Sequence, residues 1–136
     1  LYGVLPPFHS FGFSVTGLLP LLAALRVYYA PDPTQYFAMA HDIEEWKITL
    51  FCSAPTFIKG LFHVAKPKQL DSLRFAVGGA EKVHPDLFEY MEKRGAEMLE
   101  GYGITECGPI VTLTRPGKPR EGVGLPLPGI ELCIID

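Results

Sequence analysis

Cysteine is scarce in this chain and falls in no pattern. Cys52, Cys107 and Cys133 are odd in number and lack CxxC spacing, which excludes a disulfide framework and a cysteine zinc site and fits a reducing compartment. The histidines, His9, His41, His63 and His84, are equally dispersed, with no HExxH pair to hold a metal. A long unbroken apolar run is missing too. The greasiest stretch, GFSVTGLLPLLAAL (residues 12–25), is interrupted by Ser14, Thr16 and Pro20 and stopped by Arg26. It is too short and broken to cross a membrane and reads as a buried helix. Positive charge is not in excess: the formal net charge is −3, which argues against a nucleic-acid surface. Lys66, Lys68, Arg115, Lys118 and Arg120 fall in polar turns and read as solvated loop charge. Neither a GxxxxGK[ST] phosphate loop nor a GxGxxG fingerprint occurs.

What is present is the composition of a folded protein, 48% hydrophobic and 20% charged. Short apolar segments alternate with helical patterns. Residues 1–6, 26–30, 48–54, 73–80, 97–103, 111–116 and 129–136 read as strands. Residues 10–25, 55–64 and 84–94 read as helices, the first of them bent or begun anew at Pro20. A further helix is expected to start at Asp32-Pro33, with Asp as cap and Pro in the first turn. Its stripe of Tyr36, Ala40, Ile43 and Trp46 is expected to face the core. ITLFCSA (residues 48–54) has the continuous apolar character of a strand buried on both faces. The alternation predicts an α/β fold with a mainly parallel sheet flanked by helices.

In such a sheet, ligands bind where loops leave the carboxyl ends of strands. Two glycine-rich loops hold that position, GGAE (residues 78–81) and EGYGITE (residues 100–106). They follow successive strands and are expected to lie side by side. Glycines let backbone approach a flat or charged ligand closely. Tyr102 offers a ring face for a base, Thr105 a hydroxyl for a phosphate oxygen, and Glu106 a hard carboxylate for Mg²⁺. Each feature alone has an ordinary alternative: a turn, a packed tyrosine, a helix start. Cys107 has no histidine paired with it in the sequence and is expected to be a buried, inert thiol.

EGYGITE resembles the YGxTE signature of the adenylate-forming superfamily of acyl-CoA synthetases, amino-acid adenylation domains and luciferases. PPFHSFG (residues 6–12), VGGAEKV (residues 77–83) and GVGLPLPGIELCIID (residues 122–136) resemble three further segments of that family, in its order. GAEKV and LEGYGITECGPIV look most like the acyl–acyl-carrier-protein synthetases, including those fused to a 2-acylglycerophosphoethanolamine acyltransferase. The resemblance implies that Gly79, Ala80 and Glu81 border an adenine and that Tyr102 stacks on it. It implies that Gly101 and Gly103 let the chain approach the nucleotide, that Thr105 touches the α-phosphate and that Glu106 holds Mg²⁺. His9 would line the acyl pocket.

The resemblance further implies that residues 1–136 are one central piece of the large N-terminal, AMP-binding domain, with residues 129–136 beginning a strand region that continues further. The phosphate loop, the ribose-binding aspartate and a lysine-bearing C-terminal domain would lie outside it. The expected activity of the whole protein is an ATP-dependent ligase that makes fatty acyl-AMP and passes the acyl group to acyl carrier protein or CoA. The expected setting is cytoplasmic, with any contact at the inner face of the membrane made by other parts. The piece alone is expected to be inactive. The alternative is a non-catalytic nucleotide-binding or scaffold module of the same fold.

Overall fold

Successive residues of a strand point to opposite faces of its sheet, and here both faces are apolar. The computed structural model describes residues 1–135. Within them β1 (Tyr2–Gly3), β2 (Tyr28–Tyr29), β3 (Leu50–Ser53), β4 (Phe75–Gly78), β5 (Glu97–Tyr102), β6 (Thr112–Leu113) and β7 (Leu125–Pro126) form one sheet in the order β2-β1-β3-β4-β5-β6-β7. The first five strands run parallel, while β6 and β7 turn antiparallel. Phe51, Ala76 and Met98 face one side, where they pack with residues of α3 (Tyr36–Trp46), α4 (Pro55–Val64) and α5 (Pro85–Glu92). Their neighbours Cys52, Val77 and Leu99 face the other, against Phe11 and Val15. The mainly parallel α/β sheet expected from the sequence is what forms.

The segment carrying Phe11 and Val15 is helical without a break. It runs through α1 (Ser10–Gly12), a π-helical stretch (Phe13–Leu18) and α2 (Leu19–Leu22), so no new helix begins at Pro20. The disturbance lies one turn earlier. Pro20 has no N–H to give the carbonyl of Thr16 four residues back. The Tyr29 hydroxyl donates to that carbonyl instead, at 2.6 Å.

Other expectations need correction. Asp32 does not cap a helix; its carboxylate accepts from the Thr34 N–H and hydroxyl and closes a turn, and α3 starts only at Tyr36. An Asp side chain bonding backbone two residues on competes with helix start in this way. Met39, Ala40 and Ile43 reach the core, but Trp46 is 57% exposed. Residues 129–135 form no strand, because no described strand lies alongside to offer a ladder, and Asp136 lies outside the described residues.

Candidate functional site

Since β1, β3, β4 and β5 are parallel, their carboxyl ends open on one side of the sheet. The segments leaving β1, β4 and β5 are those carrying His9, Gly79 and Thr105. The pairing of Gly78 with Glu100 sets the β4 and β5 loops side by side.

Each loop is shaped by specific contacts. After β4 the Gly79 N–H donates to the Ser53 carbonyl at 3.2 Å, and Ala80 then adopts φ 68°, a left-handed conformation that costs an L-residue roughly 1–2 kcal/mol. Such strain in a loop that lines a cavity has to be held by its surroundings. Glu100, only 5% exposed, accepts the Val83 N–H at 2.9 Å and so ties the far end of this loop to β5. The Glu81 carboxylate accepts from the Thr56 hydroxyl at the start of α4, at 2.6 Å. After β5 the chain folds back on itself. A Cβ on Gly103 would lie 2.2 Å from the Pro109 carbonyl oxygen, so only glycine closes this loop without displacement.

The segment after β1 comes to meet both loops. His9 caps α1: its Nδ1 accepts the Phe11 N–H at 3.1 Å, which assigns that nitrogen as unprotonated. The Phe11 ring lies against Gly79, where a Cβ would stand 3.2 Å away. Ser10 Oγ and Thr105 Oγ1 are hydrogen-bonded at 3.0 Å.

Two cavities result. The inner one, about 200 Å³, is lined by His9, Gly79, Ala80, Gly101, Gly103 and Thr105, together with Ser10 and Phe11. The outer one, about 780 Å³, is lined by Ala80, Glu81, Gly101, Tyr102 and Gly103, together with Lys82, Glu100 and Arg120. The Tyr102 side chain is about half exposed there. Glu106 lines neither cavity; it is exposed, on a one-turn 3-10 helix (Thr105–Cys107), and has no hydrogen-bond partner among the described residues. The backbone-rich cradle and open tyrosine ring suit a nucleotide. For a metal ion the donor set is a single carboxylate, since the described residues contain no group of three or more His, Cys, Asp or Glu placed to bind one. That set fits a Mg²⁺ taking its other ligands from phosphates and water.

Two side chains depart from the sequence reading. Cys107 is exposed, not buried, because the one-turn helix carries it outward; the buried thiol is Cys52, pushed up to about 12 by burial. Arg120 is more than solvated loop charge: its guanidinium stacks 4.2 Å from the centre of the Phe88 ring. Sequence reasoning also passed over Ser10, Phe11, Thr56 and Glu100. Ser10 and Phe11 lie within a segment whose resemblance was noted, and a glutamate inside an apolar strand was a signal available for Glu100.

Fold and site together define an α/β protein with glycine-rich loops gathered around a cavity at the carboxyl ends of its strands. The chain belongs to the AMP-binding enzyme family, which matches residues 1–136. It is similar to a long-chain-fatty-acid–CoA ligase of Yersinia pestis, 30% identical over 141 residues that cover 97% of this chain and 24% of the relative. It is also similar to a 3-methylmercaptopropionyl-CoA ligase of Ruegeria pomeroyi, 27% identical over 98% of this chain and 27% of the relative. Among solved structures it resembles the anthranilate CoA ligase AuaEII in complex with anthranoyl-AMP. There the TM-score is 0.87 and the identity 26%, over 99% of this chain and 27% of that one. The N-terminal domain of FACL13 from Mycobacterium tuberculosis shares the fold, with TM-score 0.72 at 19% identity over 84% of this chain and 29% of that one. The chain thus spans about a quarter of the length of the curated relatives it matches.

Proposed function

We propose that this chain is the nucleotide-facing part of an ATP-dependent acid–thiol ligase, which converts a fatty acid to its acyl-AMP and passes the acyl group to a phosphopantetheine thiol. The observation that carries this reading is the convergence of the β1, β4 and β5 segments on one cavity, with Thr105 and His9 both on its wall. In this reading Gly79, Ala80 and Glu81 border the adenine, and Tyr102 stacks on it from the outer cavity. Gly101 and Gly103 bring backbone close to the nucleotide. Thr105 donates to an α-phosphate oxygen, and His9 lines the acyl side. Glu106 would hold Mg²⁺, which when bound neutralises phosphate charge. Catalysis by these residues is then positioning and electrostatic stabilisation, the usual means in phosphoryl and acyl transfer.

CoA is the acceptor named for the relatives. Acyl carrier protein is the acceptor we propose, on the GAEKV and LEGYGITECGPIV segments. The protein is proposed to work in the cytoplasm, with any membrane contact made outside this chain. Acid-dependent ATP–pyrophosphate exchange by the full-length protein, assayed with fatty acids of graded length, tests the first half-reaction. Transfer to carrier protein against CoA tests the second. Absence of exchange with every acid would favour a non-catalytic nucleotide-binding or scaffold module.

A further inference from the structure

We propose that Ser10 is a positioning residue that fixes the direction in which the Thr105 hydroxyl donates; this rests on the ligase reading above. A serine at a helix start ordinarily serves as the cap. Here His9 takes that role through Nδ1, and the Ser10 hydroxyl is left to reach across 95 residues to Thr105 Oγ1 at 3.0 Å. Both ends of this bond are anchored in the backbone. Ser10 belongs to a backbone pinned by His9 N–H to the Pro6 carbonyl and Phe13 N–H to the His9 carbonyl, and a Cβ on Gly12 would stand 2.0 Å from the Pro6 oxygen. Thr105 begins a three-residue 3-10 helix that the Cys107 N–H closes on the Ile104 carbonyl, just after Gly103, whose Cβ would stand 2.2 Å from the Pro109 oxygen. Each hydroxyl is thus presented to the other from a fixed backbone.

The chemistry follows from proton counting. A hydroxyl has one proton to donate and lone pairs to accept. If Thr105 donates to Ser10, it turns a lone pair toward the cavity and repels an anionic oxygen. If Ser10 donates to Thr105, the Thr105 proton is left for the ligand. An anionic oxygen in the cavity selects the second arrangement, a relay from Ser10 through Thr105 to the ligand. Both residues line the inner cavity, so the relay points into it.

A double-mutant cycle in the full-length protein tests this, read by ATP–pyrophosphate exchange, by ATP binding in calorimetry and by melting temperature. Thr105→Ala should lower kcat about 100-fold and Ser10→Ala about tenfold, as loss of a transition-state donor and of one supporting hydrogen bond do. KM for ATP should change far less in both. The double variant should be no slower than Thr105→Ala alone, and Ser10→Thr should restore kcat where Ser10→Ala does not. An unchanged kcat in Ser10→Ala, or losses that multiply in the double variant, would overturn the relay while leaving the ligase reading intact. Equal losses in Ser10→Ala and Ser10→Thr, tracking melting temperature, would overturn it as well. Wild-type protein silent in both exchange and ATP binding would overturn the ligase reading and the relay together.

Discussion

A methyl group at position 103 has nowhere to go, because the Pro109 carbonyl oxygen would lie 2.2 Å from it. Gly103→Ala is expected to cost roughly 1–3 kcal/mol by overpacking. Because the shift falls on the loop of Thr105, exchange by the full-length protein should drop about 100-fold, the scale of a small misplacement at a reacting centre. Melting and exchange measured on one preparation check both. The cysteines make a second contrast. Cys52 is buried with its thiol pushed up to about 12, whereas Cys107 is exposed. Iodoacetamide at pH 8 should therefore label Cys107 in native protein and leave Cys52 unmodified until denaturant is added, as peptide mass spectrometry would show. Residue types at the site were legible in the sequence, since glycine, tyrosine, threonine and glutamate each declare a chemistry. Their pairings were not. Ser10 with Thr105, and Glu100 with the Val83 N–H, join positions far apart in the chain, and only the three-dimensional path brings them together. The facing of Cys107 was misread because a single turn of helix carries no periodicity from which to judge its buried side.

At the scale of elements, the carbonyl that Pro20 leaves without its helical donor is served by a hydroxyl from β2. Tyr29→Phe removes the donor to the Thr16 carbonyl. It should cost about 1 kcal/mol, seen as a lower melting temperature with little change in ring packing. The turn before α3 gives a pH dependence. The Asp32 carboxyl is held below the usual carboxylate range, first by the Thr34 hydroxyl and then by the Thr34 N–H and the Gln35 amide. A depressed folded-state value means that its stabilisation is present above the unfolded value of about 3.9 and is lost as pH falls through the folded one. Denaturant titrations should accordingly show a shallower acid limb for Asp32→Asn than for wild type. Helix α4 was readable from its opening proline and its apolar face, residue for residue. The start of α3 was not, because an aspartate before proline serves a turn as well as a cap. Strand β6 was readable within residues 111–116, whereas the two residues of β7 leave too little alternation to read, and the antiparallel pairing of both comes from tertiary contact.

At the scale of the whole molecule, the chain covers about a quarter of its relatives' length, and we expect the isolated piece to form no acyl-AMP under conditions in which, on the proposed reading, the full-length protein would. Acyl-AMP detected by chromatography after incubating the piece with ATP and fatty acid would contradict this. Alternation of strand and helix was enough to anticipate a parallel sheet with two loops at one end. It could not supply the strand order, which depends on which edge of β1 each later strand joins. That order has a consequence for synthesis. From β4 onward, every strand pairs with the strand made immediately before it. From β4 on, a chain leaving the ribosome thus offers each new strand a finished neighbour, whereas β3 must reach past β2 to β1. The cost is borne by incomplete products. A chain halted after β4 would display that strand as a bare hydrogen-bonding edge, open to other nascent chains, and would have no binding cleft to show for it.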